Sequence, residues 1–507
     1  MWRRLYLFLL LVRLYFAIQP SYIHPDEHFQ GPEIIAAQVF DWPSDPPWEF
    51  TDDEPIRSYF PLWLAYGFPL TLLKWIWEGL GYGNVQPMLA FYALRIFMFI
   101  LSFVLEDWAL HELIPSPRDR TRAIALVASS YVTWTFQMHT FSNSIETLLV
   151  LWCIVLMRRI REHPESTMAS ACCGLAFMGV LGVFNRITFP AFILVPALQL
   201  IPHLFTRTMR IPILLFGSLL TMAIAVTVDT EIYASVRPSF SNLRGTTIFT
   251  PLNNLMYNLD PENLAEHGLH PYWQHFAANL PQLLGPAIPL LLFSSRKNAL
   301  FWSGITGIAA LSCFQHQEAR FLLPAVPLLL ASVKLPVRFS NIWFISWILF
   351  NATVGLLFGA YHQAGIVPAQ RFLARGTNTE QITWWRTYPP PTWLGGSFLS
   401  PDVKVKDYMG TPHDQLFLEL YNRAECQDER TRVSMLVAPL SAVALDPYME
   451  TPDSGMYGAT IKLEEVWRTS KHIRLDDLDF AGDGVWKTLR RVIGRRGLAV
   501  YVINKKC

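Results

Sequence analysis

Along the first 360 residues the chain alternates between long apolar runs and short polar islands, and beyond that point the alternation stops. A membrane-crossing helix needs about 20 mostly apolar residues, fewer where its ends snorkel or the bilayer thins. On that measure there are 11 candidate spans: Leu5–Gln19, Gln86–Leu105, Arg122–Thr140, Ile145–Met157, Met168–Phe184, Ile187–Ile201, Ile211–Val228, Leu280–Ser294, Ala299–Phe314, Phe321–Val333 and Asn341–Ala360. The pattern therefore predicts a polytopic α-helical membrane domain over residues 1–360. The first run is read as a retained anchor, because no small-residue cleavage site follows Ile18 and His24-Pro25-Asp26-Glu27 comes directly after it.

Tyr59–Trp77 is apolar but broken by Pro61, Gly67, Pro69 and Lys74. If it lies in the interface, the loops carrying Arg118/Arg120/Arg122, Arg158/Arg159/Arg161, Arg207/Arg210, Arg296/Lys297 and Lys334/Arg338 all fall on the side of Arg3 and Arg4. If it spans, every one of them moves to the opposite face. The positive-inside rule selects the first arrangement, with Tyr59–Trp77 as an interfacial amphipathic segment. The polar clusters Ser21–Arg57, His139–Glu146, Asn185–Thr188, Asp229–Asn279, His316–Arg320 and the tail then share the other face. With a cytosolic amino terminus that face is the lumen of a secretory compartment. A transporter would scatter such groups near the bilayer midplane.

Composition supports this division. The chain is 52% hydrophobic and 16% charged, with a mean hydropathy of +0.25, too apolar for a soluble enzyme, in which roughly a quarter of residues are charged. A net charge of +1 gives no argument for nucleic-acid binding. Residues 361–507 hold 36 of the 81 charged residues, which marks a soluble tail. There Val433–Pro439 and Leu498–Asn504 read as buried strands, with helices around His413–Arg423 and Val485–Ile493, predicting a small α/β domain. Of the six cysteines, Cys153, Cys172, Cys173 and Cys313 lie in apolar runs as free thiols, and only Cys426 and Cys507 have the setting for a disulfide. The sequon Asn351-Ala352-Thr353 sits inside a span and is expected to be unused. Glycine-rich phosphate loops, G-x-S-x-G and H-E-x-x-H are all missing, which disfavours nucleotide hydrolysis, serine-hydrolase chemistry and zincin proteolysis.

Three clusters could carry chemistry. His24-Pro25-Asp26-Glu27-His28 packs two carboxylates and two imidazoles at a membrane exit, as a general base beside the bilayer or, equally, as a helix cap with Asp26 at the N-cap before Phe29–Val39. In His316-Gln317-Glu318-Ala319-Arg320-Phe321, a helix would place His316 and Arg320 on one face, suited to a lipid phosphate; the alternative is Arg320 snorkelling to headgroups with Glu318 as counter-ion. Ala265–His275 carries His267, His270, Tyr272 and Trp273, fit for sugar stacking or for an interfacial aromatic belt, and its spacing matches no standard zinc site. Glu146 and Arg186, in further polar islands at span ends, are expected to pair or to meet a polar headgroup.

Four motifs in order carry a resemblance. His24-Pro25-Asp26-Glu27 and His316-Gln317-Glu318-Ala319-Arg320-Phe321, with the island Ser142-Asn143-Ser144-Ile145-Glu146-Thr147 and Arg186-Ile187-Thr188, resemble the glycosyltransferase family 22 mannosyltransferases of the endoplasmic reticulum. Ile187 stands where several members have Pro, and the resemblance covers the membrane domain, not the tail. Within the family, Glu27–Glu33 and Glu266–Pro271 look most like the members that add the fourth mannose to the glycosylphosphatidylinositol (GPI) precursor.

The resemblance implies a GT-C fold and dolichyl-phosphate-mannose as donor. It also implies a GPI glycolipid acceptor and an α-1,2 product formed with inversion in the lumen. On that basis Asp26 is the expected base, with Glu27 positioning or replacing it. His316, Arg320 and Glu318 would serve the donor phosphate. His24, His28, His267, His270, Trp273, Arg186 and Glu146 would meet the acceptor or its sugars. No cofactor is implied, and a divalent metal stays open. The competing readings are an α-mannosyltransferase of the dolichol-linked N-glycan precursor, a third-mannose GPI transferase and, from another class, a lipid-linked sugar flippase.

Overall fold

The computed structural model describes residues 2–162, 168–206, 209–234, 247–266, 268–376, 379–398, 402–423, 432–450, 460–482 and 484–506. Among these, five helices are long and apolar enough to cross a bilayer: Pro87–Leu113, Met168–Asn185, Arg210–Ala234, His275–Phe293 and Ser340–Tyr361. Tyr131–Met138 and Ser142–Glu162 give a sixth if the bent pair counts as one span. Trp2–Ala17, Phe189–Phe205 and Ala299–Leu311 are apolar but shorter.

Two of the expected spans break for local reasons. The helix Pro117–Ala128 stops at Ser129-Ser130, and the Ser130 hydroxyl accepts the Val132 N–H at 3.3 Å to start a new turn. The chain then bends by 113° into Ser142–Glu162. Phe321–Val333 divides into a 3₁₀ turn, Ala319–Leu322, and a helix, Ala325–Ser332, whose residues are all buried against protein.

The loops sort to two ends. Arg159 Nε reaches Glu112 at 2.8 Å and Arg296 reaches Asp119 at 2.5 Å, gathering basic loops together. At the other end of Ser142–Glu162, Ser142 accepts from Arg186 Nη1 at 3.1 Å. At 1.5 Å per residue, Ser142 and Arg158 lie about 24 Å apart along the helix axis.

Tyr59–Gly79 is continuous helix with a π turn at Trp63–Gly67. Its start is tied to Asp229, while Val85 and Ala90, which follow it, share a core with Trp393 and Leu394. A stripe of Leu64, Phe68, Leu72, Trp75 and Ile76 is left exposed.

The tail builds a sheet from β1 (Thr379–Trp385), β2 (Lys404–Tyr408), β3 (Val433–Pro439), β4 (Thr460–Thr469) and β5 (Leu498–Lys506). The order is β2-β1-β3-β5-β4, with β1 parallel to β2 and β3, and β5 antiparallel to β3 and β4. Successive strand residues point to opposite faces. Trp385, Leu436 and Tyr501 pack on Leu416, Phe417 and Leu420, while Trp384, Val437 and Val500 pack on Ile366, Ala369 and Tyr22. The second face thus meets the first loop of the membrane part. Asn351 is buried, accepting the Tyr131 N–H at 2.7 Å and donating to the Trp347 carbonyl at 2.8 Å, so the sequon side chain is taken up in helix packing. Cys153, Cys172, Cys173 and Cys313 are free; Cys426 and Cys507 lie outside the described residues.

Candidate active site

Pro25 caps a one-turn helix, Asp26–Phe29, followed by Pro32–Phe40. Asp26 is therefore not the N-cap: its own N–H donates to His24 Nδ1 at 3.3 Å, which leaves the carboxylate for other partners. That carboxylate pairs with Arg320, 294 residues away, and lies 3.1 Å from His24 Nδ1. Burial alone would raise the Asp26 pKa, but Arg320 and then His24 hold it well below the usual carboxylate range.

His316 and Arg320 do not share a helix face. Residues 316–318 lie outside any helix, with Gln317 Oε1 accepting the His275 N–H at 2.8 Å and its amide donating to the Phe314 carbonyl at 2.9 Å. Glu318 joins the pair instead, at 3.1 Å from His316 Nε2, 2.5 Å from Arg320 Nε and 3.0 Å from Arg320 Nη2. Against burial, Arg320 and His316 push the Glu318 pKa well down.

These groups face a cavity of about 900 Å³. His24, Asp26, Arg186, His316, Glu318 and Arg320 line it, with an apolar wall of Ile187, Ala310, Leu311, Phe314 and Phe321. The Phe321 ring carries the guanidiniums of Arg186 and Arg320 at 5.1 and 5.3 Å. Pro389, Pro390, Thr392, Val405 and Asp407 of the tail complete the wall.

Other expected residues lie elsewhere. Glu27 is fully buried and off the cavity, bonded to His139, with His28 Nε2 at 3.4 Å and Arg95 Nη2 at 3.7 Å. One residue of helix turns its side chain away from that of Asp26, so Glu27, like buried His28, does not line the cavity. Glu146 is also buried, 3.2 Å from Arg186 Nε and accepting the Thr188 hydroxyl at 3.1 Å; it holds Arg186 but does not line the cavity. His270 lies beside the site, its ring 6.4 Å from that of His316. Trp273 is 60% exposed and does not line the cavity. His267 lies outside the described residues. Among the described residues no cluster of three His, Cys, Asp or Glu side chains could hold a metal.

The sequence reading missed Trp48, Glu49, Arg57, Asn254, Tyr257 and Asn258, all on the cavity wall. No periodicity singles them out; the proline-flanked Trp48 and the Asn-rich stretch before Tyr257 were the available signals.

Several bilayer-length helices, and a cavity that gathers carboxylates, arginines and histidines, are the features of a multi-pass membrane protein with a polar site. The chain belongs to the Alg9-like mannosyltransferase family, which it matches over residues 4–394. It is 47% identical over 540 aligned positions to GPI mannosyltransferase 4 of Aspergillus oryzae, covering 99% of this chain and 98% of that one. It is 45% identical to the protein of the same name from Emericella nidulans, covering 100% and 98%. Among solved structures it is similar to ArnT from Cupriavidus metallidurans bound to undecaprenyl phosphate, at 11% identity and a TM-score of 0.51 over 99% of this chain and 98% of that one. That is a likeness of fold, and it agrees with the expected GT-C architecture.

Proposed function

We propose that the protein transfers mannose from dolichyl-phosphate-mannose to the third mannose of the GPI-anchor precursor. The α-1,2 linkage forms by an inverting single displacement in the endoplasmic reticulum lumen. The observation that carries this is the meeting of Asp26 with Arg320 in one cavity where the loops leave the bundle. Relatives named GPI mannosyltransferase 4 support the acceptor. The lipid phosphate bound by ArnT supports a polyprenyl-phosphate donor.

The acceptor hydroxyl oxygen attacks the anomeric carbon opposite the phosphate, and its proton passes to Asp26. As the new C–O bond forms, the bond from the anomeric carbon to the phosphate oxygen breaks, and dolichyl phosphate leaves with the electron pair. Arg320, Arg186 and His316 meet its charge. Arg320 and His24 lower the Asp26 pKa against its burial. A phosphate that draws Arg320 away raises the Asp26 pKa just where a proton must be taken. Glu27, with His139 and Arg95, fixes the turn beneath Asp26.

The basic loops gathered around Glu112 and Asp119 support a cytosolic end with the amino terminus. The cavity and residues 361–507, as a second domain, then lie on the lumenal side, and Tyr59–Gly79 lies in the interface.

The test is product analysis with labelled dolichyl-phosphate-mannose and a trimannosyl GPI lipid, with and without chelator. A fourth mannose removable by an α-1,2-mannosidase is expected. No product from wild type with intact donor overturns the reading, and transfer to an N-glycan precursor instead would move the acceptor.

A further inference from the structure

We propose that Trp48 and Tyr257 form the platform on which the acceptor glycan lies, with Glu49, Arg57, Asn254 and Asn258 as partners for its hydroxyls. The inference rests on the mannosyl-transfer reading above. The two rings come from distant segments, Trp48–Thr51 and Thr250–Leu259, yet their centroids are 4.8 Å apart at 34°. Both line the cavity, and Trp48 is 39% exposed.

A pyranose offers a C–H face to an aromatic ring and a rim of hydroxyls to polar side chains, and this wall supplies both. Asn254 and Asn258 sit at helical spacing with Tyr257, on one side of their helix. Asn254 Nδ2 donates to the Ile56 carbonyl at 3.2 Å and Asn258 Nδ2 to Asn254 Oδ1 at 3.1 Å, which fixes their orientation. Arg57 donates twice to Glu49 Oε1, at 3.1 and 2.8 Å.

The platform is wired to the base. Gln30 ends the helical turn that Asp26 begins, through a 3.1 Å bond to the Asp26 carbonyl, and its side chain donates to Glu49 at 3.2 Å. Trp48 is the next residue. Two further cations suited to phosphate, Arg186 and Arg320, come from other segments and pack over the Phe321 ring on the same cavity. Donor phosphate is thus assigned to Arg186 and Arg320 and acceptor sugars to Trp48 and Tyr257, with Asp26 linked to the latter through Gln30 and Glu49.

Kinetics with donor and acceptor varied separately test this, on Trp48→Ala, Tyr257→Ala and the ring-preserving Trp48→Phe. Each alanine variant should raise the acceptor KM about tenfold, the worth of one lost aromatic contact, with the donor KM within about twofold. Trp48→Phe should stay within about threefold of wild type for acceptor, and it serves as the folded comparison if an alanine variant is unstable. Unchanged acceptor KM in both alanine variants, an equal rise in donor KM, or a tenfold loss in Trp48→Phe would each overturn the platform. Failure of wild type itself to use the trimannosyl acceptor would instead overturn the function on which it rests.

Discussion

Asp26 and Glu27 are neighbouring carboxylates with opposite surroundings, and they should fail in opposite ways. Asp26 faces the cavity and shares Arg320 with Glu318. Asp26→Asn leaves Arg320 one carboxylate partner, so the fold should persist while kcat falls about 10²- to 10⁴-fold, the usual worth of a positioned base. Glu27 lies among His139, His28 and Arg95, which outweigh its burial and hold its pKa well below the carboxylate range. Glu27→Gln strands buried Arg95 without its counter-ion and should cost about 3–5 kcal/mol of stability, the penalty of breaking a buried pair. Thermal unfolding in detergent, beside turnover of whatever remains folded, separates the two. An Asp26→Asn protein that melts as early as Glu27→Gln would reverse the roles. The sequence could not separate these residues: both read as acidic groups at a membrane exit, and only the turn begun at Pro25 sends one to the cavity and the other inward.

Elements were legible where one local rule dominated. Val433–Pro439 and His413–Arg423 form with the bounds read from the sequence, because burial and helical periodicity act there without competition. β1, β2 and β4 went unread: β1 is buried along nearly all of its length and so lacks alternation, while β2 is an edge strand rich in charge. Residues 122–140 look like one apolar helix, but their hydroxyls favour a break, and the break sends His139 and Thr140 onto Glu27. Such long-range demands leave no periodic trace. Asp229 shows the same logic in a helix long and apolar enough to cross a bilayer. Its Oδ1 accepts from Ser58 Oγ at 3.0 Å and from the Tyr59 N–H at 2.8 Å, and its Oδ2 accepts from Thr250 Oγ1 at 2.9 Å. It therefore caps Tyr59–Gly79 and anchors Thr250–Leu259, the helix that carries Tyr257. Asp229→Ala should lower stability by about 1–3 kcal/mol through lost capping and unpaired donors. It should also raise the acceptor KM more than the donor KM. A thermal midpoint equal to wild type would show that the cap is dispensable.

At the scale of the whole molecule, the tail is part of the site. Tyr22 donates to the Pro389 carbonyl at 3.0 Å, and Glu33 bridges the two regions, accepting the Asp45 N–H at 3.0 Å through Oε1 and the Trp393 N–H at 3.3 Å through Oε2. Asp45 and Thr392, next to Trp393, both line the cavity, so this one buried carboxyl holds two of its walls together. Burial pushes the Glu33 pKa up to about 8 from an ordinary 4.5, even though both N–H donors favour the charged form. The sign follows from linkage. A folded pKa above the unfolded one means that unfolding releases a proton between those values, so what Glu33 contributes is fully present below pH 4.5 and is lost as pH rises through about 8. Glu33→Gln cannot titrate. The stability of wild type relative to that variant should therefore fall steadily across this window and level off above it. Thermal midpoints of both proteins in detergent, taken at intervals of about one pH unit, measure that difference directly. Parallel curves would show that the clamp between first loop and tail is insensitive to the charge on Glu33. A difference that closes with rising pH would tie the two regions together through this single proton.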